Sequence, residues 1–189
     1  MMNPVEVFSC GTYHPYRYRG EKNPKAGDRL SKAMMDFKDE TNFNHKQAVK
    51  IFSDLLLKKL KNATYNGKPF TSYKFEVTIV PSHTSGRVSP ALVAIALEVC
   101  NRNQLGTYVQ SLKRNTTVAS AHKEGGDRSI ANHMSTISVV TNVVGKVVLL
   151  IDDVTTTGGS MSACKYLLSD AGATVVLPLS LLETAVYEE

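Results

Sequence analysis

Cysteine is scarce in this 189-residue chain, which has only Cys10, Cys100 and Cys164. Three scattered thiols with no CxxC pair exclude a disulfide framework and a zinc knuckle. Cys100 and Cys164 fall in apolar helical stretches, where a small buried hydrophobe is the expected role. Long apolar runs are absent as well: none reaches the roughly 18 residues that a membrane span requires. The opening Met1-Met2-Asn3-Pro4 lacks the charged-then-apolar pattern of a secretory signal. The expectation is a cytoplasmic protein with no membrane partner. Internal repeats and low-complexity tracts are also missing.

What is present suits one globular domain. The hydrophobic fraction is 42%, ordinary for a folded soluble chain and too high for a disordered one. The net charge of +5 comes from lysines and arginines spread through the first two thirds. Nucleic acid would answer that charge, and so would a small polyanionic ligand.

The chain divides into two parts, residues 1–66 and 67–189. The first is polar and rich in tyrosine and lysine. Within it, His45–Lys61 places Val49, Ile51, Phe52, Leu55, Leu56 and Leu60 near helical spacing, predicting an amphipathic helix with a lysine-rich outer face. A shorter helix is expected over Leu30–Phe37, after Gly27-Asp28. Beyond the Asn66-Gly67 turn, strands and helices alternate. Lys74–Pro81 ends in a β-branched apolar run and reads as a buried strand. Ser89-Pro90 reads as an N-cap with proline in the first helical position, and Ala91–Val99 is apolar nearly all round. Another strand is expected near Tyr108–Leu112. Asn115–His133 is long and polar and reads as a loop.

Lys146–Ile151 is a continuous apolar run typical of the centre of a parallel sheet, ending in Asp152-Asp153. A helix is expected from Gly158-Gly159-Ser160 to about Ala171, closed by Gly172, and a strand over Thr174–Leu182. Strand, loop, helix and strand in this order predict a right-handed βαβ unit with both sheet faces covered.

Chemistry concentrates at Ile151–Ser160. Ligands of doubly wound sheets sit at the carboxyl ends of strands. Here a buried strand runs into two acids, then Val154, three threonines (Thr155, Thr156, Thr157), Gly158, Gly159 and Ser160. Glycines admit close approach by an anion, a helix N-terminus offers unpaired N–H groups, and hydroxyls add donors. That combination is a phosphate cup, with carboxylates beside it suited to accept from sugar hydroxyls. No lysine follows the glycines, which excludes a Walker A loop, and the GxGxxG spacing of dinucleotide folds is missing. The bland alternative is a helix cap followed by a turn, but two adjacent acids at the end of a buried strand are costly without partners.

These residues carry a family resemblance. Val148–Ser160 resembles the signature by which type I phosphoribosyltransferases bind 5-phosphoribosyl-1-pyrophosphate (PRPP). The flanks Gly145–Val148 and Leu167–Ala173 are similar to the ComF-like branch. So are Leu112-Lys113-Arg114 with Thr117, Arg128 and Asn132, and Phe37-Lys38 ahead of the His45–Lys61 helix. The cysteine-rich zinc module common in that branch is not present here. The resemblance implies an α/β fold, type I phosphoribosyltransferase-like, with a mostly parallel sheet flanked by helices and a small N-terminal hood region. It implies 67–189 as the PRPP-binding core and 1–66 as the helical hood segment of the same domain.

It also implies roles. Asp152 and Asp153 would hold the ribose hydroxyls, and the stretch from Val154 to Ser160 would hold the 5′-phosphate. The loop Ser82-His83-Thr84-Ser85-Gly86-Arg87 would bind pyrophosphate; hydroxyls, a glycine and an arginine also suit a diphosphate on their own account. An ordinary surface turn is the other reading of that loop. Arg114 is a candidate second pyrophosphate contact or, with Lys113, a solvated charge pair. Asn115–His133 would be a closing lid from which Arg128, His122 and Lys123 reach the leaving group, so Asp152, Asp153 and Arg128 are the candidate catalytic residues. His83 and His133 have no partners at metal-ligand spacing. The implied cofactor is Mg²⁺ chelated largely by ligand oxygens, with Asp152 and Asp153 as the protein groups nearest to it.

The implied reaction is Mg-dependent transfer of ribose 5-phosphate from PRPP to an acceptor, a nucleobase in the first instance, with release of pyrophosphate. The tyrosine-rich start, Tyr13–Arg19, could stack on a base or contact nucleic acid, or be simply a packed N-terminal segment. Two other functions stay open, a PRPP-sensing protein without turnover and a nucleic-acid-associated accessory protein. The acceptor and the oligomeric state, a homodimer included, are not legible.

Overall fold

A computed structural model describes residues 2–118 and 129–187. Short strands come first: β1 Phe8–Ser9, β2 Thr12–Tyr13, and a hairpin of β3 Arg17–Tyr18 with β4 Glu21–Lys22. Helices α1 Arg29–Lys38 and α2 His45–Lys61 follow, then a small ribbon of β5 Thr64–Tyr65 and β6 Lys68–Pro69. The second part runs β7 Phe75–Ile79, α3 Pro90–Arg102, β8 Gly106–Tyr108, β9 Leu112–Arg114, α4 Ile130–Thr136, β10 Ile137–Val139, β11 Val147–Thr155, α5 Gly159–Asp170 and β12 Val175–Thr184. The class is the expected one, α/β with a mostly parallel sheet flanked by helices.

The main sheet has the order β1-β12-β11-β7-β8, with β2 also on β12. Every ladder within it is parallel. From β7 the chain crosses through α3 to β8 on one side, and from β11 it crosses through α5 to β12 on the other. The direction of winding therefore reverses between β7 and β11. In open parallel sheets that reversal leaves a crevice at the carboxyl ends of the two strands.

Strand β11 is buried on both faces, and its side chains alternate between two cores. Leu149 and Ile151 pack with α1, α2 and α3 through Phe37, Phe52, Leu56 and Ile95. Val148 and Leu150 pack on the opposite face against Met161, Cys164 and Leu168 of α5. Leu150 is fully buried. Truncating it to Ala should cost about 2–5 kcal/mol, read as a fall in thermal midpoint of roughly 4–20 °C for a chain of this size.

Local signals explain the helices. Asp28 Oδ1 accepts from Leu30 N at 2.9 Å and from Ser31 N at 3.3 Å, capping α1. Ser89 Oγ accepts from Leu92 N at 3.3 Å, capping α3 behind Pro90. Helix α3 is less enclosed than its composition predicts. Ala94 and Leu97 face outward, Leu97 at 47% exposure, because the helix packs with one side on β7, β8, β11 and α2.

Three further expectations change. The strand near Tyr108–Leu112 is two strands in different sheets. At Gln110 the chain leaves the main sheet: Gln110 Nε2 donates to Ile79 O at 2.9 Å and Oε1 accepts from Ile79 N at 3.3 Å. The side-chain amide thus substitutes for the strand neighbour, freeing β9 to pair antiparallel with β10. The polar stretch to His133 ends in helix α4, capped by Ser129 Oγ accepting from Asn132 N at 3.2 Å. Finally, β11 does not end at the acids. It continues through Asp152, Val154 and Thr155, which pair with Ser180, Leu182 and Glu183 of β12, so the connecting loop is shorter than its threonines suggest.

Residues before 67 contribute to the same sheet. Strands β1 and β2 extend its edge along β12. Between them, an added Cβ at Gly11 would lie 2.7 Å from Leu30 Cδ1, so glycine permits α1 to pass close over that edge. No helix among the described residues is long and apolar enough to cross a membrane.

Candidate functional site

Strands β7, β11 and β12 end at one edge of the sheet, and most of the sequence-predicted site residues lie there. Val80 N donates to Ile151 O at 3.0 Å, extending the β7–β11 pairing to the last apolar residue before the acids. The loop 82–87 leaves β7 beside the point where Asp152 and Asp153 leave the core. The two groups therefore flank the switch point.

The acids are neighbours on a strand and face opposite layers. Asp153 is reached from α1: Lys38 Nζ lies 3.3 Å from its Oδ2. Its Oδ1 accepts from Val154 N at 2.6 Å, while Asp152 Oδ1 accepts from Asp153 N at 2.8 Å. Asp152 lies on the α5 side, where its charge acts on Cys164. Burial first, and the Asp153 charge second, raise the Asp152 carboxyl well above the usual carboxylate range, with the backbone hydrogen bond from Asp153 and the Lys38 charge opposing. Its register partner Ser180 is fully buried, and Ser180 Oγ has no hydrogen-bond partner among the described residues. Cys164 itself is held protonated by burial and by Asp152; it is packing, not a nucleophile.

Past Thr155 the chain turns through Thr156 and Thr157, both exposed, into Gly158. Gly158 adopts φ 71° and ψ 4°, left-handed backbone that favours glycine. Helix α5 begins there without any side-chain cap. Its first-turn N–H groups consequently keep their donor capacity for an outside acceptor, and the helix dipole favours an anion. Thr156 Oγ1 lies 2.8 Å from Thr184 Oγ1, tying this turn to the end of β12.

The 82–87 loop is built, not loose. Ser82 N donates to Arg87 O at 3.0 Å and Arg87 N to Thr84 O at 3.2 Å. Gly86 N donates to Arg114 O at 2.9 Å, and Ser85 Oγ to Asn115 O at 2.8 Å. His83 and Arg87 are exposed at its rim.

Arg114 is not the solvated charge that one reading allowed. It is 1% exposed. Its Nε donates to Ser82 O at 2.7 Å and Nη1 to Thr136 Oγ1 at 2.7 Å, with Nη2 3.4 Å from His133 Nδ1. Burial lowers its pKa. Its observed contacts hold the loop and α4 in place from below. Lys113 beside it is exposed. Arg128, His122 and Lys123 lie outside the described residues.

Among the described residues no three acidic, histidine or cysteine side chains group closely enough to cage a metal ion. Two carboxylates are on hand, which fits a hard divalent ion only where a ligand and water supply the remaining oxygens.

No protein-family profile and no curated protein matches the sequence. Solved structures do overlap. A phosphoribosylpyrophosphate synthetase from Mycobacterium smegmatis superposes with TM-score 0.43 at 16% identity, covering 72% of this chain and 34% of the synthetase. This chain thus spans about a third of the synthetase's length. A hypoxanthine phosphoribosyltransferase from Staphylococcus aureus gives TM-score 0.41 at 13% identity, covering 82% of this chain and 70% of that one. A glutamic acid mutant at an invariant aspartic acid of an HPRT gives 0.42 at 12%, covering 85% and 74%. At this degree of overlap none of the three decides what the chain binds.

Three groups at this edge had no site role expected of them from the sequence. Lys38 meets Asp153 from 115 positions away in the sequence. Thr184 and Thr136 each make one hydrogen bond that steadies a site segment.

The tyrosine-rich start is partly packed. Tyr187 OH accepts from Asn23 Nδ2 at 2.7 Å and lies 2.7 Å from His14 Nδ1, and its ring lies 4.5 Å from that of Tyr18. Tyr16 and Tyr18 remain 48% and 37% exposed.

Proposed function

We propose that this chain binds PRPP at the carboxyl edge of its parallel sheet and transfers ribose 5-phosphate to a nucleobase-like acceptor, releasing pyrophosphate. The observation that carries the proposal is the junction at the switch point: an acid pair on the central buried strand, followed within one turn by a helix with no side-chain cap.

The α5 N-terminus and the hydroxyls of Thr155–Thr157 and Ser160 take the 5′-phosphate, as an uncapped helix start takes any anion. Asp152 and Asp153 accept from the ribose hydroxyls. The loop 82–87, steadied by Arg114 from beneath, takes the pyrophosphate. Asp152 and Asp153 would be the protein groups nearest a Mg²⁺ chelated mainly by ligand oxygens, which would supply neutralisation of the pyrophosphate charge. The acceptor's lone pair forms the bond to C1 while the C1–O bond breaks and its electrons depart with pyrophosphate. The chain's part is positioning and charge stabilisation. Residues 67–189 form the PRPP-binding core and 1–66 the segment bordering the acceptor. The motif pattern is nearest the ComF-like branch, and the setting is cytoplasmic.

The experiment is to incubate the chain with PRPP, Mg²⁺ and a panel of purine and pyrimidine bases and to follow pyrophosphate. Acceptor-dependent release is the expected result. Tight PRPP binding with no release for any base would replace transfer with sensing. Nucleic-acid affinity that falls steeply with salt, in a chain indifferent to PRPP, would favour the accessory role.

A further inference from the structure

We infer that Lys38 is a positioning residue of this site, holding the Asp153 carboxylate in its ligand-accepting orientation from the far layer of the fold. The inference rests on the PRPP reading above and adds to it a residue outside the signature. Lys38 ends α1, with its ammonium 3.3 Å from Asp153 Oδ2. The other ion pairs among the described residues join neighbours on one helix, one helix to the next, or Lys146 to Glu76 at the opposite end of the sheet. This one alone among them reaches the acid pair.

A stabilising role explains the contact poorly. Lys38 is 46% exposed and Asp153 28%, and partly exposed pairs contribute little to folding. At the C-terminus of a helix a lysine is already favourably placed by the dipole, so α1 gains nothing extra by directing the ammonium away from its own last carbonyls. The beneficiary is the acid pair. Two carboxylates on successive residues repel; Lys38 on α1 acts on Asp152 as well as pairing with Asp153, while Arg114 on β9 acts on the neutral Cys164 thiol of α5 beside Asp152. Arg114 is spent on Ser82 O and Thr136. Lys38 is the cation that touches the pair, and it touches one oxygen of Asp153. The other oxygen accepts from Val154 N. Between them the two contacts fix the plane of the carboxylate, and with it the directions left for a sugar hydroxyl.

The test compares the unaltered chain with Lys38→Met, Lys38→Gln and Lys38→Arg by calorimetric titration of PRPP in Mg²⁺ buffer. Lys32→Met, an exposed lysine on the same helix, is the control. The expected result is a loss of PRPP affinity of about tenfold or more in the Met and Gln variants. Arg should restore most of it, Lys32→Met should bind normally, and thermal midpoints should stay together. PRPP binding unchanged in Lys38→Met and Lys38→Gln, with the unaltered chain binding, overturns the inference and leaves the PRPP reading standing. A loss that Arg does not relieve, accompanied by a lowered midpoint in every Lys38 variant, also overturns it by making the residue structural. An unaltered chain that does not bind PRPP overturns both.

Discussion

Asp152→Asn is expected to make the protein more stable at neutral pH while removing its affinity for PRPP. The Asp152 carboxyl is raised well above its ordinary range by burial and by the Asp153 charge, so the folded chain holds that proton more tightly than the unfolded chain does. By linkage, the contribution of this group to stability is greatest below the unfolded value, about pH 4. It declines as pH rises toward the raised folded value and stays lost above it. An amide of the same shape carries no such penalty and can also accept from Asp153 N. At pH 8 the variant should gain roughly 1–3 kcal/mol, the usual cost of a buried polar group imperfectly compensated. For a chain of this size each kcal/mol corresponds to roughly 2–4 °C in thermal midpoint. The gain should shrink toward zero only below the unfolded value, by about pH 3.5. Midpoints measured at both pH values check the sign: a variant less stable than its parent at pH 8 would mean that the carboxylate is structurally satisfied. A gain in stability with a loss of binding is the behaviour of a group kept for its ligand.

Arg114→Met should have the second large effect, and it should be selective. The guanidinium is buried with no carboxylate partner among the described residues, and its firmest bonds go to Ser82 O and Thr136 Oγ1, both at 2.7 Å. Removing it strands the carbonyl at the root of the 82–87 loop, which opposes folding. It also relieves the burial of a charge, which favours folding. Lost charge-assisted bonds are worth about 1.5–3 kcal/mol each, and the relief offsets part of that. A net loss of roughly 1–3 kcal/mol follows. The loop would keep its own turn and its backbone bond from Gly86 N to Arg114 O, but its root would loosen. PRPP affinity should therefore fall more than affinity for ribose 5-phosphate, which lacks the pyrophosphate. Equal losses for both ligands would show that Arg114 supports the whole edge and not the loop.

Much of this architecture could be read in advance, wherever a signal is local and repeated. Helix α2 spans His45–Lys61 as its apolar spacing requires, and α1 and α3 begin at the caps that Asp28 and Ser89 provide. Strand β11 and the helix after it follow from an uninterrupted apolar run and a pair of glycines. What escaped was decided by distant partners. Strands β1 and β2 have two residues each, too few for any periodicity, and exist because β12 offers an edge. Helix α4 has seven residues, mostly polar, beginning inside the stretch that reads as a loop. The exit of the chain from the sheet at Gln110 depends on a side chain imitating a backbone. In the site, composition singled out the acid pair, the glycine turn and the 82–87 loop as candidates, because phosphate and diphosphate recognition would demand particular residue types close together; the fold brings all three to one edge of the sheet. It left undecided what Arg114 does, since a buried arginine and an exposed one look alike in sequence, and it gave Lys38 no role at the acids.

The most direct measurement is a calorimetric titration of Mg²⁺–PRPP into the unaltered chain and into the double variant Asp152→Asn, Asp153→Asn. Saturable binding near one ligand per chain, lost in a double variant that remains folded, is the predicted result. Binding of equal strength in both, or none in the unaltered chain, would contradict the assignment of the β11–α5 junction as a PRPP site.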